Sequence, residues 1–369
     1  MIKRRYVSLD ALKGIAMLMV ILNHYNQKFT SSVALFQFTQ MGCQIFFVMS
    51  GLGVSFSLAK CFRRGFDFRA LAPYYKSRYL RIAPPYYVMM AVVFLVNTLL
   101  TRLLNRPLAF GSNRSLWGIL CNVLFIHGLV PSANNSVIAG GWYIGTSMLL
   151  YLIAPFLFAA FRRTKRKKAA CLAMSLAPLA LLFALTRILP QAHRGYLVDN
   201  NSFGYFSILT QLPCFVLGML LYFELQGEKR LHPVLDLGAG AALMAGSAAL
   251  YFHPFFDFSY IVTASAVGLA AYFIARGLIA LERKKRFSYS FPVTARFGQK
   301  SLYIYLTHIF FAWPFVAFIL EGAARFGVQA DNYGVYALLF PVVVALSYFS
   351  AVLLEKGITA FVKGMTGEE

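Results

Sequence analysis

The sequence predicts an all-α, polytopic integral membrane protein, a bundle of about ten transmembrane helices. Three observations carry that expectation. Of 369 residues, 59% are hydrophobic and 13% charged, where soluble domains carry about a quarter charged. Apolar blocks of spanning length recur along the whole chain with short polar connections between them. The formal net charge of +22 comes from 35 Lys and Arg against 13 Asp and Glu, and the basic residues fall in short runs between the apolar blocks. That is the pattern of cytoplasmic loops, and no basic face on a soluble domain is left to bind nucleic acid.

The chain opens "MIKRRYVSLDALKGIAMLMV", a basic start followed by an apolar run. It lacks a small-residue cleavage site and is long enough to stay as the first span, 9–27. Further spans are expected at 36–59, 82–104, 142–161, 169–189, 205–224, 234–252, 258–281, 301–320 and 333–355. An eleventh, shorter apolar block is "SLWGILCNVLFIHGLV", 115–130. If it spanned, "RRTKRKK" (162–168) would face the side opposite "CFRRGFDFRALAPYYKSRYLR". Treated as a re-entrant or partial segment, it leaves 26 of the Lys and Arg on one side and 7 on the other, with Lys13 and Arg276 inside spans. The positive-inside rule then puts both termini in the cytoplasm. No appended soluble domain and no short repeat is expected, so 1–369 reads as a single membrane domain. The five cysteines are scattered without a C-x-x-C, which predicts neither a disulfide framework nor a metal site.

Polar residues inside the first span are the strongest functional signal. At about 100° and ~1.5 Å per residue, Lys13 and His24 lie about 20° apart around the helix and ~16 Å apart along it. Asp10, three residues before Lys13, is at pairing distance. An interfacial ion pair and a helix-end histidine would need no function, but the shared face favours one. Such a stripe suits an elongated ligand, with a histidine able to act as general base at its deep end.

"SLDALKGIAMLMVILNH" resembles the opening of the membrane-bound acyltransferase 3 family, with its L-D-x-[LI]-[KR]-G-[IL]-A start. Further segments resemble the family in order. "FFVMSGLGVSFSL" matches its second helix through Phe46, Phe47, Ser50 and Gly51, and "RYLRIAPPYYV" its third. "GGWYIGTSMLLYLIAPFL" matches through Trp142, Tyr151 and Pro155, and "QLPCFVLGMLLYF" matches an F-x-x-G-M helix. "SLYIYLTH" matches a late signature through Ser301, Tyr305 and His308.

The resemblance implies a bacterial O-acyltransferase, and specifically an O-acetyltransferase, multi-pass in the cytoplasmic (inner) membrane. It would move an acetyl group from cytoplasmic acetyl-CoA or another acyl-CoA to a hydroxyl of an extracytoplasmic acceptor. That acceptor would be a cell-surface glycan or its lipid-linked precursor, so the activity is polysaccharide modification in the cell envelope. The family's catalytic histidine maps onto His24. Lys76, Arg78 and Arg81 precede a double proline expected to open the third helix, where free N–H groups and arginines favour the phosphates of CoA. Asp10, Lys13, Asn23, Ser50, Trp142, Ser147, Tyr305 and His308 are expected to support or line the site, with Asn23 and Ser50 the candidates to hold His24. Asp10 is ~21 Å of helix rise from His24 and is not its partner.

One departure stands out. Relatives carry an acid in a W-S-[IL]-G-V-E arrangement where this chain has Ser147. That keeps two rivals in view, a transporter of a small molecule or lipid-linked sugar, and an inactive scaffold. Ion-coupled transport normally needs acids at membrane depth, and the sequence places Asp10 and Glu224 near span ends. Trp117, Trp142 and Tyr143 are expected to face outward, as sugar platforms or interfacial anchors. His127, His193, His232 and His253 receive no role.

Overall fold

The computed structural model describes residues 6–29, 34–64, 69–105, 115–190, 193–227, 231–284, 292–328 and 333–366. Among the described residues, ten helices are long and apolar enough to cross a membrane. The elements that build the site are α1 (Val7–Asn26), α2 (Gly42–Cys61), α3 (Ala72–Leu104), the short α4 (Leu116–Val123) and α5 (Gly141–Arg163). They are followed by α6 (Lys167–Ile188), α7 (Ile208–Gln226), α8 (Pro233–Phe252), α9 (Ser259–Arg283) and the short α10 (Pro292–Gln299). The last two are α11 (Ser301–Arg325) and α12, the latter Tyr333–Thr366. Helices are the open-chain answer to a solvent without hydrogen-bonding partners, since each backbone group is satisfied inside its own segment.

Helices α2 and α7 bury most of their surface, whereas α6, α8 and α12 bury the least. Large apolar side chains on those outer helices point away from the protein, Leu172, Leu176, Leu338 and Leu353 among them. Inside, polar residues find one another. Gln44 of α2 donates to Gln211 of α7 and to the Tyr205 hydroxyl. Arg276 of α9 pairs with Glu224 of α7 at 3.4 Å and with Asp236 of α8 at 3.5 Å. Tyr272 donates to the same Glu224.

Contacts between helix ends define one basic end of the bundle. The first N–H groups of a helix have no intrahelical partner. In α1 they are met by a carboxylate from the end of α9: Glu282 accepts from Val7 N at 3.1 Å and Ser8 N at 2.8 Å. Arg162 at the end of α5 donates to the Phe62 carbonyl beyond α2. Lys300, just before α11, pairs with Glu355 of α12. The opposite end is tied by Tyr25 donating to the Tyr336 carbonyl, and by Gln40 donating to Asn200 and Tyr251.

One expectation needs revision, and one is met in detail. Pro84 and Pro85 do not open α3; they sit well inside a helix that starts at Ala72. Tertiary hydrogen bonds hold the turns before them, from Tyr74 to the Tyr151 carbonyl, Tyr75 to the Leu152 carbonyl and Arg78 to Ser57. The prolines therefore supply no helix N-terminus for an anion. Instead their missing N–H groups leave the Leu80 and Arg81 carbonyls without intrahelical donors. The block 115–130 forms only the eight-residue α4, capped by Ser115, before short tight turns. Phe125 ends it in the left-handed region at φ 56°, a conformation costly for a bulky residue and held by packing against Tyr86 and Tyr87.

The tightest backbone approach brings α1 onto α10. A Cβ on Gly298 would lie 1.9 Å from the Asp10 carbonyl oxygen, and one on Gly14 would lie 2.0 Å from the Thr294 carbonyl oxygen. Small residues let membrane helices touch backbone to backbone, where packing rather than the hydrophobic effect holds them. Gly298→Val forces the helices apart and costs at least about 1–3 kcal/mol, read as a lower Tm in detergent. Gly246→Ala, with nothing within 4 Å of its Cβ position, leaves Tm unchanged or higher.

Candidate active site

Six of the sequence-selected residues converge. Lys13, Ser50, Arg78, Arg81, Ser147 and Tyr305 line one cavity of about 180 Å³, joined by Tyr143 and Tyr151. The cavity starts at the basic end, where Lys13 is held 2.6 Å from Asp10 and Gln299 donates to the same carboxylate. Arg78 donates to Ser57 and lies over the Tyr74 and Tyr151 rings at 5.8 Å. Its Nε is buried with no hydrogen-bond partner. Ser50 accepts from the Tyr151 hydroxyl at 3.3 Å, so it belongs to the cavity wall rather than to His24. The Tyr143 hydroxyl neighbours Ser50 and Ser147, yet Ser147 Oγ is buried without a well-formed hydrogen bond. A buried hydroxyl without a well-formed hydrogen bond therefore sits at the position where the resemblance led to the expectation of an acid.

His24 and His308 lie deeper. Neither is among the residues lining the cavity, but Tyr305 is, and its ring centre is 5.6 Å from that of His308. The rings of His308 and His24 are 5.2 Å apart. His308 Nδ1 faces the carbonyls of Tyr305 at 2.7 Å and Ile304 at 3.2 Å. Carbonyls only accept, so a neutral His308 carries its proton on Nδ1 and a lone pair on Nε2. That Nε2 is buried without a partner, as is His24 Nδ1. Two adjacent imidazoles thus each keep one nitrogen uncommitted, while Gln27 lies beside the His24 ring.

What holds His24 in place is a residue the sequence reading missed. Helix α11 passes through a wide, π-type turn at Phe311–Phe315, around Pro314, and such turns recur at functional sites. The Trp313 indole N–H donates to the His24 carbonyl at 3.0 Å, one of the carbonyls a helix end leaves unpaired. Its ring stands edge-on to the imidazole with centres 5.6 Å apart, and Lys28 Nζ lies 4.9 Å from the indole centre. The sequence signal was the Trp-Pro pair within a span.

The remaining selections fall elsewhere. Lys76 is exposed and outside the cavity lining, and Asn23 is buried on α1. Trp142 and Tyr143, expected to face outward, are 7% and 9% exposed, whereas Trp117 is 56% exposed. Packing overrides the interfacial reading because Trp142 stacks on Phe206 at 4.6 Å and Tyr143 packs on Phe47 at 4.8 Å. His127, given no role, is fully buried. Its Nε2 faces the Gly141 carbonyl at 3.0 Å and its ring lies parallel to Tyr86 at 5.8 Å. Tyr86 in turn donates to Asn122 at 2.6 Å. Among the described residues no three His, Cys, Asp or Glu side chains come together as metal ligands.

Gly140, at φ 78°, turns the chain into α5, and its carbonyl accepts from the Tyr305 hydroxyl at 2.7 Å. Tyr305→Phe removes that hydrogen bond while Tyr143 N still donates to the same carbonyl at 3.2 Å, so it costs about 0.5–1.5 kcal/mol and lowers Tm accordingly. Burial holds the His127 pKa below its ordinary 6.5. The unfolded chain therefore binds a proton that the folded one refuses, and stability falls as the pH drops through 6.5. Melting curves of wild type and His127→Asn between about pH 7.5 and about pH 5.5 check this. The variant loses part of the wild-type slope.

The family model for the acyltransferase domain of the acyltransferase 3 family matches residues 6–354 of the chain. No curated protein matches, and no solved structure does.

Proposed function

Because the chain belongs to the acyltransferase 3 family, and is thereby a membrane acyltransferase, we propose that it is an O-acetyltransferase that uses acetyl-CoA at the basic end and an acceptor hydroxyl arriving from the other. The observation that carries this reading is the pair of half-committed histidines behind a cavity whose wall holds an unpartnered Arg78 Nε and Ser147 Oγ. Those two orphaned polar groups fit the phosphate and amide chemistry of an acyl-CoA. A cavity of about 180 Å³ is smaller than the roughly 300–1,000 Å³ of drug-sized sites. It suits the acyl-pantetheine end, with the nucleotide outside near Arg81 and Lys76.

In this reading His24, kept in position through its carbonyl by Trp313, takes the proton of the acceptor hydroxyl. The hydroxyl oxygen forms a bond to the thioester carbonyl carbon, the carbon–sulfur bond breaks, and the proton passes from the imidazole to the CoA sulfur. His308, its Nδ1 proton fixed on backbone carbonyls, presents the Nε2 lone pair beside His24 and is the natural relay. Tyr305 stands between cavity and histidines, so the donor reaches them when its hydroxyl leaves the Gly140 carbonyl. The acceptor in this proposal is a cell-surface glycan or its lipid-linked precursor, and the membrane a bacterial cytoplasmic membrane with both termini of the chain inside.

Purified protein supplied with labelled acetyl-CoA and membrane glycan tests the proposal. His24→Ala lowers transfer about 10²–10⁴-fold, the usual range for a general base, and undiminished transfer sinks the assignment. Arg78→Gln raises KM for acetyl-CoA about 10–100-fold, as expected for a lost charged hydrogen bond, with a smaller effect on kcat.

A further inference from the structure

A second recess lies at the other end of the bundle. It is a groove of about 970 Å³ formed by residues 131–135, before α5, and 195–206, before α7. Both segments lead into helix N-termini, whereas the basic pair Arg162 and Arg163 sits at the C-terminus of α5. The groove therefore opens on the end opposite Arg78 and Arg81.

Its chemistry is distinctive. No Lys, Arg or His is among the described residues that line it, and Asp199 is the one carboxylate. The rest of its polar wall is made of carboxamides and hydroxyls, Asn134 and Asn135 chief among them. Asn134 is 4% exposed; its Nδ2 donates to the His127 carbonyl, and its Oδ1 is buried in the wall with no partner. Asn135 Oδ1 accepts from Trp142 N, which leaves its two amide protons free to donate. Aromatic faces complete the groove. Tyr196 is 64% exposed at its rim, Phe203 is half-buried, and Phe206 forms part of the floor, stacked on Trp142.

A buried acceptor without a donor asks for a ligand hydroxyl or N–H. With Asp199 in its wall and no basic side chain among the described lining residues, the groove disfavours phosphates and carboxylates. Rings flanked by amides suit a molecule with apolar faces and hydroxyl edges. The groove also touches the chemistry: the loop that carries Asn134 continues to Gly140, whose carbonyl holds Tyr305, the neighbour of His308.

We propose that this groove is the acceptor subsite, and that it binds a run of uncharged sugar units with a ligand hydroxyl donating to Asn134 Oδ1 and sugar faces against Tyr196 and Phe203. The proposal rests on the acyltransferase reading for its meaning but is tested apart from it. The protein is placed in lipid nanodiscs free of maltoside detergent. Maltohexaose and chitohexaose serve as neutral probes and hexagalacturonate as the charged one, with binding followed by tryptophan fluorescence. Binding of acetyl-CoA is measured on the same samples. The expected result is binding of at least one neutral oligosaccharide, about tenfold or more tighter than hexagalacturonate. Tyr196→Ala and Asn134→Leu each weaken it about tenfold or more while acetyl-CoA binding stays at the wild-type level. Tyr196 is exposed, so its variant decides alone if Asn134→Leu does not fold. Anything short of that pattern overturns the proposal. Sugar binding without acetyl-CoA binding in the wild type instead overturns acetyl-CoA as the donor in the proposed function and leaves the groove as a sugar site.

Discussion

The contact between Gly14 and Gly298 sets the register on which the site depends. Backbones that touch this closely cannot slide, because any side chain at either position would overlap a carbonyl. Ten residues beyond Gly14 along α1 is His24, and ten residues beyond Gly298, through the turn at Lys300, is His308. The two histidines reach the same depth because their chains leave a common anchor and climb by the same number of residues. The anchor also turns Lys13 toward the cavity, since Asp10 is held between Lys13 and Gln299. A single pair of small residues thus connects the basic mouth to the deep imidazoles.

Prolines do the complementary work. A spanning helix normally satisfies every backbone group within itself, which leaves nothing for a ligand or a neighbour. Pro84 and Pro85 in α3, and Pro314 in α11, interrupt that closure near the site. The α11 interruption widens the helix and swings Trp313 onto α1. Neighbouring helices brace these breaks, as α5 does for α3 by accepting from Tyr74 and Tyr75.

Much of this was legible in the residues. Ten spans follow from hydropathy and charge, and the eleven-residue spacing of Lys13 and His24 places them on one side of a helix. The cavity gathers Ser50, Arg78, Arg81, Ser147 and Tyr305 from four further helices, positions that only the resemblance connected, since no local pattern reports contact between distant segments. What escaped was set by tertiary packing. Trp142 and Tyr143 looked like interfacial aromatics until Phe206 and Phe47 covered them. The double proline looked like a helix start, which is its commonest role, and the turns before it are helical only because α5 and α2 supply hydrogen bonds. Asn134 carried no signal at all, because an unsatisfied oxygen is a property of the folded wall and not of the residue.

The tie between the Tyr305 hydroxyl and the Gly140 carbonyl has a meaning for the bilayer as well as for the site. Two recesses enter this bundle from opposite ends, and a continuous wet path between them would let protons and ions run down their gradients. The phenol of Tyr305, tied to backbone, is part of the wall of one recess only. Tyr305 lines the recess at the basic end and not the one at the other end, so the two are separate antechambers, and polar groups can serve both ends without forming one channel through the bundle.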